Sequence, residues 1–358
     1  MRESRRLNME NRKVMVTGAT GYVALYVVKE LLDRGFTVHA TVRDPDKGER
    51  TKALRSLGET LPKDKLILFK ADLLDPASFK APMEDCEIVI HTASPFIQKV
   101  KDPQNDLIKP ALEGTRNVLE TVNKVPSVKR VVLTSSVAAI LGDGADVEFT
   151  KEGIFTEEYW NKTSDVNHQP YSYSKKLAEE EAWKINREQK RWDLVVINPS
   201  LVIGPGISPH ATSESFNLIR QLGDGSMKSG LPDFCIGVVD VRDVAKAHVE
   251  AAVRPEAEGR HIVSATEKTF MEMTQTLRAK YGDRFAFPSR VLPKWLVWLV
   301  APLAGFKRKM ISRNVGHPWK LDNSKSISAL GLTYRSFDTS LIEMFQQMID
   351  SGLVKPRK

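Results

Sequence analysis

Cysteine is almost missing from this chain: Cys86 and Cys235 are the only two in 358 residues. Neither has a spacing suited to disulfide or metal work. That excludes a stapled secreted scaffold and a thiolate metal module, so no metal site and a reducing, cytoplasmic location are expected. Long hydrophobic runs are missing too. The most apolar stretch, Trp295 to Ala304 (WLVWLVAPLA), contains a proline and is too short to span a bilayer. A buried helix or pocket lid is expected there, with an interfacial segment as the alternative. Residues 1–11 are basic but lack the apolar core of a signal peptide. They read as a disordered leader, and Met9 offers an alternative start. No repeat of solenoid length and no low-complexity segment occurs.

Charge of one sign is in modest excess, with 53 Lys and Arg against 45 Asp and Glu, a net +8. The basic residues are spread through amphipathic segments and form no aromatic-studded stripe. A solvated surface, and no nucleic-acid partner, is therefore expected. With 41% hydrophobic and 27% charged residues, the composition is that of a soluble globular protein long enough to bury a core.

What is present is organised around Lys13 to Gly35 (KVMVTGATGYVALYVVKELLDRG). Val14 to Val16 fit a buried strand. Val23, Val27, Leu31 and Leu32 recur at helical spacing. Gly18 and Gly21 lie between, with Thr17, Thr20 and Tyr22 beside them and Ala24 small enough for close helix–strand packing. Strand, glycines and amphipathic helix in succession suit a pyrophosphate held on the free amides of a helix N-terminus. Further strands are expected at Phe36–Val42, Lys65–Lys70, Glu87–His91, Lys129–Leu133 and Asp193–Asn198. A helix over 106–123 should be kinked by Pro110. The alternation predicts an α/β fold, a Rossmann-type doubly wound parallel sheet. Residues 12–200 would form it. Residues 235–265, including a helix over Asp240–Val253, would return to it. Residues 201–234, read as loop-like at Leu201–Ser213 and Leu231–Phe234, and 266–358 would form a smaller, interleaved substrate-binding part.

The end of the second strand bears on cofactor choice. Arg43, with Lys47 close behind, suits a ribose 2′-phosphate, whereas Asp44, one register away, would favour the unphosphorylated dinucleotide. NADPH is the expected cofactor. After the third strand, Asp72 either accepts from the adenine amino group or caps the next helix. Thr134, Ser135 and Ser136 follow the fifth strand, at the edge where open α/β sheets bind ligands. Tyr171 and Lys175, four apart, stand one helical turn apart on one face. The ammonium is expected to lower the tyrosine pKa towards the range useful for acid–base chemistry.

The ordered set Gly-x-x-Gly-x-x-Ala, Arg43-Asp44-Pro45, Asp72-Leu73, Thr134-Ser135-Ser136 and Tyr171-x-x-x-Lys175 resembles the extended short-chain dehydrogenases/reductases. It is similar to the branch with dihydroflavonol 4-reductases and cinnamoyl-CoA reductases, from about Arg12 through Ser264. The resemblance implies Tyr171 as acid–base residue and Lys175 as its activator, holding the nicotinamide ribose. Ser136 would orient the substrate oxygen. Thr92-Ala93-Ser94-Pro95 and Pro199-Ser200 would line the cofactor, as would Val23 and Leu73 within the matched segments.

Two departures broaden the expected substrate. Leu141 stands where plant dihydroflavonol reductases tend to have asparagine, and Gln169-Pro170-Tyr171-Ser172-Tyr173 replaces the Asn-Trp-Tyr-Cys-Tyr of cinnamoyl-CoA reductases. An NADPH-dependent reductase of aromatic or hydrophobic aldehydes and ketones is the expectation, acting as monomer or homodimer. Phe96, Val137, Ile140, Leu141 and Phe234 are expected at the substrate. The alternatives are a cinnamoyl-CoA-type thioester reductase, with Lys307-Arg308-Lys309 meeting a CoA phosphate, an NAD-dependent epimerase or dehydratase of nucleotide sugars, and a non-catalytic dinucleotide sensor.

Overall fold

The computed structural model describes residues 12–94, 100–208 and 213–357. The expected leader and Phe96 lie outside these. From the amino end the chain forms β1 (Lys13–Thr17), α1 (Tyr22–Asp33), β2 (Thr37–Val42), α2 (Gly48–Ser56), β3 (Leu66–Lys70), β4 (Cys86–His91), α3 (Lys109–Lys124), β5 (Arg130–Thr134), α4 (Pro170–Arg187) and β6 (Asp193–Pro199). Then come β7 (Leu201–Ile203), α5 (Glu214–Gly223), β8 (Cys235–Asp240), α6 (Val241–Val253), β9 (Gly259–Val263), β10 (Thr266–Thr269) and α7 (Phe270–Tyr281). The C-terminal part adds α8 (Lys294–Val300), α9 (Arg308–Asn314), α10 (Ser324–Leu330) and α11 (Phe337–Asp350).

Seven strands form one all-parallel sheet in the order β9-β6-β5-β4-β1-β2-β3. This is the doubly wound Rossmann order with one strand added beyond β6. Both sheet faces are covered, which is why its strands read as continuous apolar runs. Alternation within β1 shows the split: Val14 and Val16 pack with Val27, Leu31 and Val244, while Met15 packs with Val118, Leu119 and Ala182 on the other face. The reversal of strand order between β1 and β4 opens a crevice at their carboxyl ends.

Some expectations need revision. Leu201–Ile203 is a strand, not loop. It pairs with β8, which pairs antiparallel with β10, in a separate three-stranded sheet. Within 235–265, β8 joins this second sheet while its Val239 packs into the core of the main one, and α6, capped by Asp240, and β9 follow onto the main sheet. Pro110 sits in the first turn of α3, where a missing amide costs nothing, and a π-helical turn, Gln104–Ile108, precedes it. The apolar run 295–304 is not buried as expected. Only Val297 and Ala301 turn inward, while Trp295 (67% exposed) and Leu303 (92%) face solvent. No helix of the described residues is long and apolar enough to cross a membrane.

Candidate active site

The turn after β1 needs its first glycine. Gly18 has φ +64°, and a Cβ there would meet the Cβ of Ala93 at 3.0 Å. Gly21 caps α1 without any side-chain hydrogen bond, and the first turn of α1 carries no acidic residue. The positive end of that helix thus faces the crevice with no protein anion on it, which fits a pyrophosphate. The neighbours brace the turn. Buried Thr17 bonds through Oγ1 to His91 Nδ1 at 2.8 Å and accepts from the Ala93 amide at 3.0 Å. Thr92 donates to the Thr17 carbonyl. Tyr22 gives its hydroxyl to the Gly204 carbonyl at 2.6 Å and its ring edge to Phe216, so its backbone amide is what it offers a ligand. Val23 packs on the core and Leu73 against Gly114. Thr20 is half-buried beside the turn and Ser94 exposed on the far side.

At the end of β2, Arg43 is exposed and forms no hydrogen bond or ion pair with any described residue. Asp44 accepts from the Asp46 amide at 3.1 Å and faces Lys47 at 3.7 Å. The arginine is available to a phosphate, while the carboxylate and Lys47 engage each other. Asp72 accepts from the Leu74 amide at 2.9 Å and is exposed. The capping alternative for Asp72 falls, because Asp75 caps the following turn through Ala77.

Tyr171 and Lys175 start α4 as the spacing predicts. Tyr171 is 51% exposed, and Ser136 is the side chain that acts on its phenol. Burial raises its pKa above that of a free phenol, and Ser136 only partly offsets this. The expected depression by Lys175 is therefore overturned: Lys175 is not among the groups acting on the phenol. Lys175 is itself the perturbed group. It is 9% exposed and bonds to no described residue. Burial lowers its pKa to about 8, against the attraction of Glu179. Its cavity is lined by His91, Ala93, Ser94, Thr134 and Ser135. A buried ammonium without a partner is a site for something bound, and ribose hydroxyls match it. Ser136 accepts from the Ala138 amide at 3.1 Å and reaches the Pro199 carbonyl only at 3.5 Å, so its proton is free to be offered elsewhere. Ser200, next to Pro199, is buried with its hydroxyl unpaired among the described residues.

Several contributors were not read from the sequence. Glu179, fully buried, accepts from Ser135 at 2.5 Å, Arg260 at 2.6 Å and Asn198 at 2.8 Å. It lies four residues beyond Lys175, so helical spacing alone could have put it on the same face. Thr134, expected at the cofactor, bonds to His248 at 2.7 Å, and burial lowers that imidazole to about 4. Gln169 enters α4 in the left-handed region at φ +55°. Its amide is held by Gly142 and by Asp143, which also takes His168, Arg313 and Asn314. Burial alone would raise the Asp143 pKa, but these bonds keep it below the usual carboxylate range.

The expected substrate residues divide. Ile140 (1% exposed) and Leu141 are core, packed with Phe155, Ile262 and Trp319, and are corrected to supporting positions. Val137 and Phe234 are only partly buried, with Phe234 stacked on Phe270.

Residues 14–265 match the model of the NAD dependent epimerase/dehydratase family. A cinnamoyl-CoA reductase (CAD2) of Medicago truncatula is 42% identical over 284 residues, which cover 78% of this chain and 82% of that one. A bifunctional dihydroflavonol 4-reductase/flavanone 4-reductase of Malus domestica is 34% identical over 287 residues, 77% of this chain and 78% of its own. The yeast methylglyoxal/isovaleraldehyde reductase Gre2, solved with NADPH, superposes with a TM-score of 0.78 at 30% identity, over 96% of this chain and 100% of that one. The chain belongs to the NAD dependent epimerase/dehydratase family, the extended short-chain dehydrogenases/reductases, beside the dihydroflavonol and cinnamoyl-CoA reductases.

Proposed function

We propose that this protein is an NADPH-dependent reductase of hydrophobic or aromatic aldehydes and ketones, with Ser136, Tyr171 and Lys175 as its catalytic residues. The observation that carries this is the gathering of Ser136, beside the Tyr171 phenol, and a buried Lys175 one helical turn on that hydrogen-bonds no described residue. When bound, the reduced nicotinamide supplies the hydride. The residues do the rest. Tyr171, held protonated by its raised pKa, donates its proton to the carbonyl oxygen as charge develops there. Ser136 donates a hydrogen bond to the same oxygen. Lys175, as a cation, holds the ribose hydroxyls. Arg43 takes the 2′-phosphate, and the free amides of Tyr22 and Val23 at the start of α1 take the pyrophosphate. Thr92, Ala93, Ser94, Pro199 and Ser200 line the dinucleotide, and Asp72 is the acceptor near its adenine.

Val137 and Phe234 give the substrate side an apolar wall, which favours aromatic carbonyls over sugars. The relatives named above as reductases of cinnamoyl-CoA, dihydroflavonols and methylglyoxal support a carbonyl substrate. Two free thiols, Cys86 fully buried, agree with a cytoplasmic location. The test follows cofactor oxidation with NADPH and NADH over a panel of aromatic aldehydes, ketones, CoA thioesters and nucleotide sugars. Turnover of aromatic carbonyls with NADPH is expected. Activity on nucleotide sugars alone, or with NADH alone, refutes the reading.

A further inference from the structure

The helical rod formed by α8 and the 3₁₀ turn that continues it, Ala301–Ala304, has two apolar sides. Val297 and Ala301, four apart, pack inward with Ile311, Val315 and Phe234. Trp295, Leu299 and Leu303, also at four-residue spacing, point outward with Trp298 and Phe306, and all five are exposed. Single exposed apolar residues are ordinary, but a contiguous set marks a contact surface. Residues 302–309 are exposed without a break, and the last three are Lys307, Arg308 and Lys309. The net charge is also concentrated here. From Arg284 to Lys320 there are eight basic residues and no acidic one, and the rest of the chain holds 45 of each sign. The excess of +8 in the sequence thus falls in the segment that exposes the tryptophans, with Arg313 of it paired to Asp143 and Asp146.

We propose that residues 294–309 form a docking surface for an anionic lipid bilayer, on which the enzyme lies without inserting a span. The chemistry matches such a surface on each count. Tryptophans prefer the headgroup level, where an apolar ring and a polar edge are both satisfied. Leu299, Leu303 and Phe306 supply area for the acyl boundary. Arg308 and Lys309 face lipid phosphates beside them, with the Arg308 guanidinium 4.4 Å over the Trp298 ring. Lys307 donates to the Asn167 carbonyl and ties the end of the rod to the protein, so the apolar side is presented on a fixed support. Asp165, on that same loop, is the carboxylate that feels Lys309. A second copy of this chain is a poorer occupant. A symmetric contact would set the Arg308 and Lys309 side chains of the two copies against each other. An interfacial position also agrees with a rod too short to cross the hydrocarbon.

The test uses the full chain with vesicles of phosphatidylcholine, alone or with about a third phosphatidylserine. Sedimentation with the anionic vesicles, at least tenfold stronger than with neutral ones, and a blue shift of tryptophan emission are expected. Arg308→Ala/Lys309→Ala should weaken binding on the order of 30-fold, roughly fivefold per basic residue. Trp295→Ser/Leu303→Ser should reduce it to background. An unchanged thermal midpoint and unchanged turnover of a water-soluble carbonyl show that both variants are folded. The proposal is overturned if wild type stays in the supernatant, binds both vesicles equally, or is insensitive to both variants. It is also overturned if light scattering finds a dimer that Trp295→Ser/Leu303→Ser dissociates.

Discussion

Glu179 and Trp295 each stand where their chemistry alone would not put them. The carboxylate is fully buried and the indole is mostly in solvent. The difference lies in partners. Glu179 is reached by Ser135 just past β5, Asn198 in β6 and Arg260 in β9, and Trp183 donates to it from the next turn of its own helix. Its burial is paid for by these bonds, and it ties α4 to three strands of the sheet. Trp295 has no element packed over its outer side, so nothing in the fold removes it from water. A buried polar group needs every partner in place, whereas an exposed apolar one needs only the lack of a cover.

The sharpest way to break the buried region is at the proton donor it supports. Tyr171→Phe removes a proton but little volume, so turnover should fall on the order of 10²- to 10⁴-fold while NADPH affinity stays near wild type. Steady-state kinetics and calorimetric titration of the cofactor check both halves. Retention of a large share of turnover would take the acid–base role away from Tyr171.

Next in size is the buried carboxylate itself. Glu179→Ala leaves the buried Arg260 without its carboxylate, with only the Glu157 and Tyr159 carbonyls to bond, an effect expected to cost about 3–5 kcal/mol of stability. Trp295→Ser, on the other side of the comparison, should stay within about 0.5 kcal/mol of wild type. Denaturant unfolding of the two variants tests the contrast. Equal losses would mean that Glu179 contributes nothing through its partners, or that the outer face of α8 is covered in solution.

Arg43→Ala acts on the exposed rim of the cofactor site. Charge-assisted contacts of about 1–3 kcal/mol predict a 5- to 150-fold weaker NADPH complex, with NADH almost unaffected. Because Lys47 lies toward Asp44, Lys47→Ala should do less than Arg43→Ala. Titration with both cofactors at one low salt concentration decides it. Equal binding of NADH and NADPH by wild type would assign the ribose to Asp44.

The smallest effect is a titration. Lys175, with a pKa near 8 in the cofactor-free fold, loses its ammonium as pH rises through that value. The profile of kcat/KM, which reports the free enzyme, should therefore decline above about pH 8. Stability should move the other way. Between the folded pKa and the normal lysine value the unfolded chain binds more protons, so this residue makes the fold more stable as pH rises through that window. A flat kcat/KM profile between pH 7 and 9 would show that the charge of Lys175 is not needed.

The sequence by itself determined what depends on neighbours along the chain. The strand, the glycines and the amphipathic helix at 13–33 follow from local periodicity and from a φ that only glycine takes without strain. The four-residue spacing of Tyr171 and Lys175 places them on one helix face whatever surrounds them. The tertiary structure decided what depends on contacts across the chain. Glu179 meets Arg260 over 81 residues and Thr134 meets His248 over 114, pairings that exist only because the added strand β9 and helix α6 return to the main sheet. Ile140 was legible as apolar but not as core, since its burial rests on Phe155 and Trp319 from two distant segments. The apolar run at 295–304 was equally legible, and its exposure was not. Hydrophobicity states a preference for leaving water, and only the arrangement of the other elements decides whether there is somewhere to go.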